Sequence, residues 1–420
     1  MNLLKLSWKN LTNKPLSMLL SIVLFALGVG LISLLFLMQN QLQKNFEKNL
    51  AGIDLVIGAK GSPLQMILSS MYHIDAPTGN VSIKEIRPFL NPKHPLIETA
   101  IPLSLGDSYK AHRIVGTEPQ ILDIYDAKIA EGKLWERNFE VTLGAAVAQK
   151  LGLSIGDEFS SAHGFEDEED FAHENAFKVV GILEPSGTVL DQLILCTTQS
   201  FWLVHNHDAE EDHEGHDHAP GEHPADEIPK PLLQEGDEEE ITSLLLKFKG
   251  RNFQALNMQR SINENTDLQA ATPAIEITRL FDLMSSAEQA LRILAIVIIF
   301  VSGLSIFISL FSSLKDRKYE LALMRVMGAT PNALFLLIVL EGLLLAVLGY
   351  ILGMVLSHGG MQFFASIMES SYRYDFSGMN FLLEEAYLLY GALLVGFIAA
   401  VIPAIQAAKT DISETMSQGK

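Results

Sequence analysis

The sequence is poor in cysteine and poor in positive charge. Cys196 is the only cysteine among 420 residues, so the chain can form no internal disulfide and no CxxC metal site. It lies in the apolar run 193–196, which predicts a buried structural thiol. The 30 Lys and Arg are outnumbered by 50 Asp and Glu, which gives a formal net charge of −20. Because a phosphate-binding surface needs clustered basic residues, this balance argues against nucleic acid as a partner.

Common catalytic and nucleotide-binding motifs are also missing. The sequence contains no GxxxxGK[ST] phosphate-binding loop, no HExxH and no GxGxxG. Residues 58–62 superficially resemble a phosphate-binding loop, but they lack its first glycine and its Lys-Ser/Thr pair. We therefore expect no catalysis and no cofactor on this chain.

Four stretches are long and apolar enough to cross a bilayer. They predict transmembrane helices at 17–39, 286–314, 331–356 and 386–408. The first holds about 22 uncharged residues, which span about 33 Å as a helix. A cleaved signal peptide is the alternative for this stretch. Its apolar part is longer than is typical of a signal peptide and no small-x-small cleavage site follows, so a retained span is favoured.

Lysine and arginine set the orientation of the predicted spans. They precede the first span and crowd the short connection between the second and third, whereas the connection 357–385 is mostly acidic. By the positive-inside rule both termini are then cytoplasmic, including a tail at 409–420. Residues 40–285 and the predicted loop 357–385 lie outside the cytoplasm.

The predicted fold is therefore a membrane α-helical protein with four transmembrane helices and a large α+β extracytoplasmic domain inserted between helices 1 and 2. Apolar or alternating patterns in that domain predict strands at 54–57, 179–183, 192–197 and 241–248. Helical spacing of small and apolar residues predicts a helix at 141–153.

An amphipathic helix is predicted at residues 1–16, ahead of the first span. Leu4, Trp8 and Leu11 share one face, and Lys5 and Lys9 lie beside it. This combination suits a helix that lies in the cytoplasmic membrane interface. The alternative is a polar extension of the first transmembrane helix.

A histidine-rich stretch interrupts the inserted domain. Residues 205–239 lose hydrophobic patterning and combine histidine, acids and proline, which predicts a disordered loop. Imidazole and carboxylate suit weak binding of Zn(II), Ni(II) or Cu(II) at several sites. The alternative is a solvated loop that binds metal only incidentally. The candidate ligands are His205, His207, His213, His216, His218 and His223.

The segment 315–330 is polar, helical in composition and placed between the second and third spans. Leu321, Met324 and Met327 give it one apolar stripe at helical spacing. Gly328 can end the helix in the left-handed conformation, and Thr330 then caps the third span. The segment is either a short rigid helix with a surface to offer or a connector that only joins two spans.

The sequence here resembles a known family. The string R-K-Y-E-L-A-L-M-R-V-M-G-A-T at 317–330, an acid in the third span, and the closing run at 402–414 are similar to the FtsX/MacB-type ABC transporter permeases. The inserted domain resembles their MacB-type periplasmic region at 115–117, 143–157 and 177–183. Ile412 stands where the family usually has proline, and Thr415 where it has alanine.

This resemblance implies a function in the bacterial inner membrane. Such permeases bind a separate ABC ATPase subunit, which carries the ATP, and they form dimers with a second copy or a paralogue. They relay nucleotide-driven movement to their periplasmic domain, which is called mechanotransmission, in export, lipoprotein or efflux tasks with a periplasmic adaptor or lipoprotein. The alternative is FtsX-like signalling that activates a cell-wall hydrolase without transport. The residues that the resemblance implies at the ATPase surface are Glu320, Leu321, Met324, Arg325 and Gly328.

Glu341 is an ionisable residue inside the third predicted span. A charge at the bilayer centre costs about 2.5–3.5 kcal/mol on insertion scales, so a partner is expected. Ser302 and Ser305 of the second span are the candidates. Glu341 is either a hinge or proton site, or a packing contact within the helix bundle.

Overall fold

The computed structural model describes residues 3–163, 172–210, 228–250, 253–371 and 376–409. The chain divides into two compact units. The membrane unit comprises Met1–Gln43 and Met284–Lys420, and the inserted domain comprises Lys44–Leu283.

The secondary structure is numbered along the chain. The helices are α1 (Leu3–Thr12), α2 (Pro15–Leu50), α3 (Pro63–Met71), α4 (Ile83–Ile86), α5 (Ile121–Tyr125), α6 (Ala145–Leu151), α7 (Thr198–Glu210), α8 (Phe253–Asn265), α9 (Pro273–Asp316), α10 (Lys318–Val326), α11 (Pro331–Ser371) and α12 (Leu383–Ala408). The strands are β1 (Leu55–Ala59), β2 (Val81–Ser82), β3 (Ile97–Tyr109), β4 (His112–Thr117), β5 (Ile129–Gly132), β6 (Glu140–Leu143), β7 (Glu158–His163), β8 (Ala172–Leu183), β9 (Ile194–Cys196), β10 (Glu240–Ile241), β11 (Ser243–Phe248) and β12 (Leu268–Ala271).

Four helices among the described residues are long and apolar enough to cross a membrane, as the sequence predicted. The qualifying segments are Pro15–Leu50, Pro273–Asp316, Pro331–Ile367 and Leu383–Ala408. The predicted loop at 357–385 is wrong in its first half, because α11 continues to Ser371. Met361 and Ala365 stay buried at helical spacing, so the apolar face of α11 extends past the predicted end of the span.

Glycine lets the membrane helices approach one another closely, as expected for helices that pack in lipid. A Cβ at Gly30 of α2 would lie 3.0 Å from the backbone oxygen of Gly353 on α11. A Cβ at Gly342 of α11 would lie 2.9 Å from the oxygen of Gly396 on α12. At both crossings a side chain in place of the glycine hydrogen would clash with the neighbouring backbone.

Within the described residues, a ten-stranded sheet forms the centre of the inserted domain. Its strand order is β12-β1-β11-β3-β4-β9-β6-β8-β5, and β7 pairs with β3 and β8 beside this path. The pairs β4–β9 and β6–β8 are parallel, and the other pairs are antiparallel. The small pair β10–β2 is separate. The domain is thus a mixed α/β fold inserted between the first membrane helix and the later ones.

The single cysteine is a core residue of this domain, which confirms the prediction of a buried thiol. Cys196 is fully buried and belongs to a cluster with Val141, Phe177 and Val179. Burial, with a further contribution from the nearby Asp107 charge, raises the pKa of the Cys196 thiol well above its ordinary value. The thiol is therefore protonated and shielded from reagents in the folded protein.

The predicted helix at 141–153 is wrong at its start. Val141, Thr142 and Leu143 form the end of strand β6, paired with both β8 and β9. Helix α6 begins only after Gly144, where a Cβ would lie 2.2 Å from the oxygen of Leu190. β-branched residues fit a buried central strand, and this pairing outweighs the helical spacing that the sequence suggested.

The predicted disordered loop at 205–239 is too wide. At its start, α7 runs through His205 and His207 to Glu210. At its end, Leu232 is buried in a core cluster, and Arg87 forms an ion pair with Asp237 at 2.6 Å. An apolar residue that the core can bury overrides the polar composition around it. His213, His216, His218 and His223 lie outside the described residues.

Candidate functional site

The short helix α10 connects the second and third membrane helices, where the sequence placed a helix. Its N-cap is Arg317 and its C-cap is Met327. Gly328 has φ +100°, which confirms the left-handed conformation predicted after the helix. The hydroxyl of Thr330 accepts a hydrogen bond from the Ala333 amide at 3.3 Å, so α11 has the predicted cap.

Helix α10 has one face buried in the bundle and one face exposed. Leu321 and Ala322 are buried, and Leu321 belongs to a core cluster with Leu314 and Leu334. The four exposed apolar residues at the other side, called here the outer face of α10, are Tyr319, Leu323, Val326 and Met327, which are 41–71% exposed. One side of α10 is therefore packed into the bundle core, and the outer face on the opposite side is exposed.

The predicted stripe of Leu321, Met324 and Met327 is wrong as an exposed surface. Leu321 is 1% exposed, and Met324 is half-buried against the same core cluster. Only Met327 belongs to the outer face. Because α10 has apolar residues on both sides, the side that fits between α9 and α11 is taken by the bundle.

The other residues that the resemblance implied differ in exposure. Glu320 is exposed and accepts a hydrogen bond from Arg317 Nε at 3.2 Å. Gly328 is exposed as well. Arg325 is half-buried, and its Nη1 has no hydrogen-bond acceptor among the described residues. Two of the five residues thus lie fully at the surface of the membrane unit.

Glu341 lies at the centre of a buried polar cluster beside α10. Its carboxylate is 1% exposed, and the same oxygen, Oε1, accepts from Asn10 Nδ2 at 2.7 Å and pairs with Arg317 Nη1 at 3.3 Å. The prediction that Ser302 or Ser305 is the partner of Glu341 is wrong. Ser302 donates to the Ile298 oxygen at 2.6 Å, and Ser305 pairs with Ser21 at 3.1 Å. The carboxylate joins α1, the start of α10 and α11.

Helix α1 turns a partly polar face to the bundle. Ser7, Asn10 and Leu11 are buried, and the Ser7 hydroxyl donates to the Leu337 oxygen at 3.3 Å. Leu4 and Trp8 are exposed. Leu11, predicted to share one face with Leu4 and Trp8, differs from them in burial, because it packs into the core cluster of the membrane unit.

A second buried polar cluster lies near the other end of α11. Glu385 Oε1 accepts from the Ser33 hydroxyl at 3.0 Å, and Ser33 pairs with Ser357 at 2.8 Å. His358 Nε2 lies 3.1 Å from the same Glu385 oxygen, close enough for an ion pair but not aligned as a hydrogen bond. Sequence reasoning missed this cluster, because Ser33 and Glu385 are 352 positions apart.

One short catalytic motif is present in the inserted domain. Residues 152–156 have the GxSxG spacing of a serine nucleophile turn. That turn must lead from a strand into a helix, but here it leads from the end of α6 towards β7. Ser154 donates its backbone amide to Asp157 Oδ2 at 2.8 Å, which makes it part of an ordinary polar turn.

The described residues hold no group of three or more His, Cys, Asp or Glu side chains able to bind a metal ion. His205 and His207 lie two positions apart on α7. The remaining four predicted ligands lie outside the described ranges, so the metal hypothesis stays a prediction.

Comparison with known domain families follows the division of the chain. Residues 18–214 match the MacB-like periplasmic core domain, and residues 292–412 match the FtsX-like permease C-terminal domain. The second match includes α10, α11 and α12 and the part of α9 from residue 292 onward. The chain thus belongs to the class of multi-span membrane proteins that carry a domain between their first and second spans. It is an FtsX-like ABC permease with a MacB-like periplasmic core domain.

Solved structures similar to this chain are distant. The periplasmic region of MacB from Actinobacillus actinomycetemcomitans is 12% identical, with 55% of this chain and 94% of that one covered and a TM-score of 0.31. The extracellular domain of the noncanonic ABC-type transporter YknZ from Gram-positive bacteria is 9% identical, with 52% and 99% covered and a TM-score of 0.30. A domain of a putative permease from Porphyromonas gingivalis is 15% identical, with 53% and 88% covered and a TM-score of 0.28. No curated protein matches the chain.

Proposed function

We propose that the chain is the membrane subunit of an ABC system that relays ATP hydrolysis by a separate ATPase to its inserted domain. The observation that carries this proposal is the geometry of α10. Its back, at Leu321 and Ala322, is fixed in the core of the bundle, and its outer face is apolar and exposed. A mechanical relay needs a stiff element of this kind, which can receive a force without sliding on its support.

The outer face of α10 suits the surface of an ATPase subunit. Its exposed apolar residues are rimmed by Lys318 and Glu320, and a contiguous apolar patch rimmed by charge is typical of a protein interface. The ends of α10 are close to two membrane helices, because Asp316 ends α9 and Pro331 begins α11. A displacement of α10 would therefore be passed to both spans.

The orientation of the chain is part of the same proposal. Basic residues around α10 favour a position on the cytoplasmic side of a bacterial inner membrane, and the inserted domain would then lie in the periplasm. Cysteine labelling tests this, because native Cys196 is fully buried. In a Cys196→Ala background, Lys84→Cys should react with an impermeant thiol reagent added outside, and Lys318→Cys only after lysis. The reverse pattern would refute the orientation.

A second permease subunit, identical or a paralogue, completes the proposed system. The outward apolar residues of α9, such as Ile296, Phe300 and Leu304, are available to lipid or to that subunit. The inserted domain would act on a periplasmic adaptor or lipoprotein in export or efflux. In the signalling alternative it would activate a cell-wall hydrolase, and reconstitution with the hydrolase would then raise its activity without movement of any cargo.

The decisive experiment concerns Leu323, which is exposed on the outer face of α10 and absent from the bundle core. Leu323→Asp should abolish co-purification of the ATPase, because docking would bury an unpaired carboxylate at a cost of several kcal/mol. Leu323→Met, the matched control, should bind the ATPase normally. Normal ATPase binding and full activity of Leu323→Asp would leave α10 as a mere connector and refute the proposal.

A further inference from the structure

We propose, on the basis of the function above, that helix α1 is a second coupling element, joined to α10 through the buried carboxylate of Glu341. Asn10, Arg317 and Glu341 are called here the Glu341 clasp. Residues of three separate elements meet at one carboxylate oxygen, at 2.7 Å from Asn10 Nδ2 and 3.3 Å from Arg317 Nη1. A device that only anchors α1 to a lipid surface has no need of such a contact.

The inner face of α1 supports this assignment. A helix that only lies in a membrane interface buries apolar side chains and keeps polar ones in water. Helix α1 instead buries Ser7 and Asn10, and each donates a hydrogen bond to α11. Their spacing of three residues places both on one side of the helix. This side of α1 is therefore a binding surface for α11.

Burial makes the Glu341 clasp hard to open. Glu341 is 1% exposed and the Arg317 side chain is 12% exposed, so both charges are held away from water. Loss of one partner from a buried ionic group is strongly destabilising, because the remaining charge is left uncompensated. Neither α1 nor the start of α10 can thus leave α11 without breaking the clasp.

Apolar and ionic contacts also hold α1 against the helices on either side of α10. Leu11 of α1, Leu321 of α10 and Leu334 of α11 belong to one buried cluster. Lys14, just after α1, forms an ion pair with Asp316 at the end of α9. These contacts tie α1 to both neighbours of α10, so the four elements should move as one body.

The chain connection shows where this movement would go. Only Asn13 and Lys14 separate the end of α1 from Pro15, the first residue of α2. Helix α2 is the membrane helix from which the chain enters the inserted domain. A force on the outer face of α10 would therefore reach α2 through the Glu341 clasp and α1, in addition to the direct route through α9 and α11.

The test uses the full permease with its ATPase in nanodiscs, and it reads the ATP-dependent change in amide hydrogen exchange across residues 44–283. Asn10→Leu keeps the branched shape of the side chain and removes the hydrogen-bond donor. The affinity for the ATPase should stay within about twofold of wild type. The ATP-dependent change in hydrogen exchange should fall about tenfold, a typical size for allosteric coupling. Asn13→Leu, at an exposed position beside it, is the matched control and should change neither quantity.

Exchanging the acid and the amide between positions 10 and 341 distinguishes a coupling role of the Glu341 clasp from a merely structural role of Asn10. Asn10→Asp with Glu341→Gln restores one carboxylate and one amide beside Arg317, so the double variant should recover the exchange change. This recovery supports the clasp even if Asn10→Leu fails to insert. Full coupling in Asn10→Leu, or none in the double variant with its ATPase bound, would overturn the inference. Absence of an ATP effect in the wild-type complex would instead refute the proposed function itself.

Discussion

His73 should make the inserted domain sensitive to acid. It follows α3 with φ +53°, and its Nδ1 is shielded from solvent without a hydrogen-bond partner in the described parts of the chain. Arg113 lies beside it, donating from Nε to the His73 oxygen at 3.1 Å and from Nη2 to the Asp75 oxygen at 2.7 Å. Burial of the ring, and next the Arg113 charge, lower the pKa of His73 from 6.5 to about 3.

The sign of the effect follows from the lowered pKa. Between pH 6.5 and 3 the unfolded chain binds a proton at His73 that the folded domain excludes, so the free energy of unfolding falls as the pH falls. Full exclusion of the proton corresponds to about 1.4 kcal/mol per pH unit. Because part of the residue remains exposed to water, we expect a loss of about 1–2 kcal/mol between pH 6.5 and 5.

The variant His73→Asn isolates this effect. Asparagine does not titrate and tolerates positive φ better than most residues, so the loop can keep its backbone. The full chain would be unfolded with denaturant in micelles at several pH values, with hydrogen exchange of residues 44–283 as the readout. This measurement gives the free energy of unfolding of the inserted domain at each pH. A comparison at pH 8, where His73 is neutral in both states, reports the change in packing alone. Equal slopes between pH 6.5 and 5 for both proteins would refute the reasoning.

Three other predictions concern packing and metal. Gly30→Ala, whose Cβ would lie 3.0 Å from a backbone oxygen of α11, should lower bundle stability in micelles by about 1–3 kcal/mol. Gly391→Ala has no atom within 4 Å and should be neutral or stabilising; equal losses would contradict the packing of α2 on α11. Leu321→Ala should cost about 2–5 kcal/mol, whereas the exposed Leu323→Ala should change stability by less than about 1 kcal/mol in the same unfolding assay. Deletion of 211–227, which spares buried Leu232, should reduce Zn(II) binding in calorimetry, and unchanged binding would refute the metal hypothesis.

Local signals explain what the sequence could predict. Hydropathy over some 20 residues is enough to identify a membrane helix, because the bilayer thickness sets its length. Gly328 was predictable for a similar reason, since a left-handed residue after a helix favours glycine regardless of distant contacts. Strand β6 was missed because the pairing that selects a strand at 141–143 comes from β8 and β9, some 40 to 50 positions later.

Long-range partners explain what the sequence could not predict. The position of Glu341 inside a predicted span indicates that a polar partner must exist, but it does not identify that partner. The predicted partners, Ser302 and Ser305, lie in the adjacent span α9. The actual partners are Asn10, 331 positions away, and Arg317, at the start of α10. Both are polar residues at helix ends, which composition alone assigns to solvent.

Leu321 shows how far a periodic pattern can mislead about function. Helical spacing identifies which residues share a face, but α10 carries two such sets, one with Leu321 and one with Leu323. The choice between them depends on α9 and α11, which supply Leu314 and Leu334 to the core around Leu321. Loss of activity in a Leu321→Asp variant would thus report damage to the bundle and could not identify a docking surface. Only a residue that the bundle leaves exposed, such as Leu323, can separate ATPase docking from folding of the membrane unit.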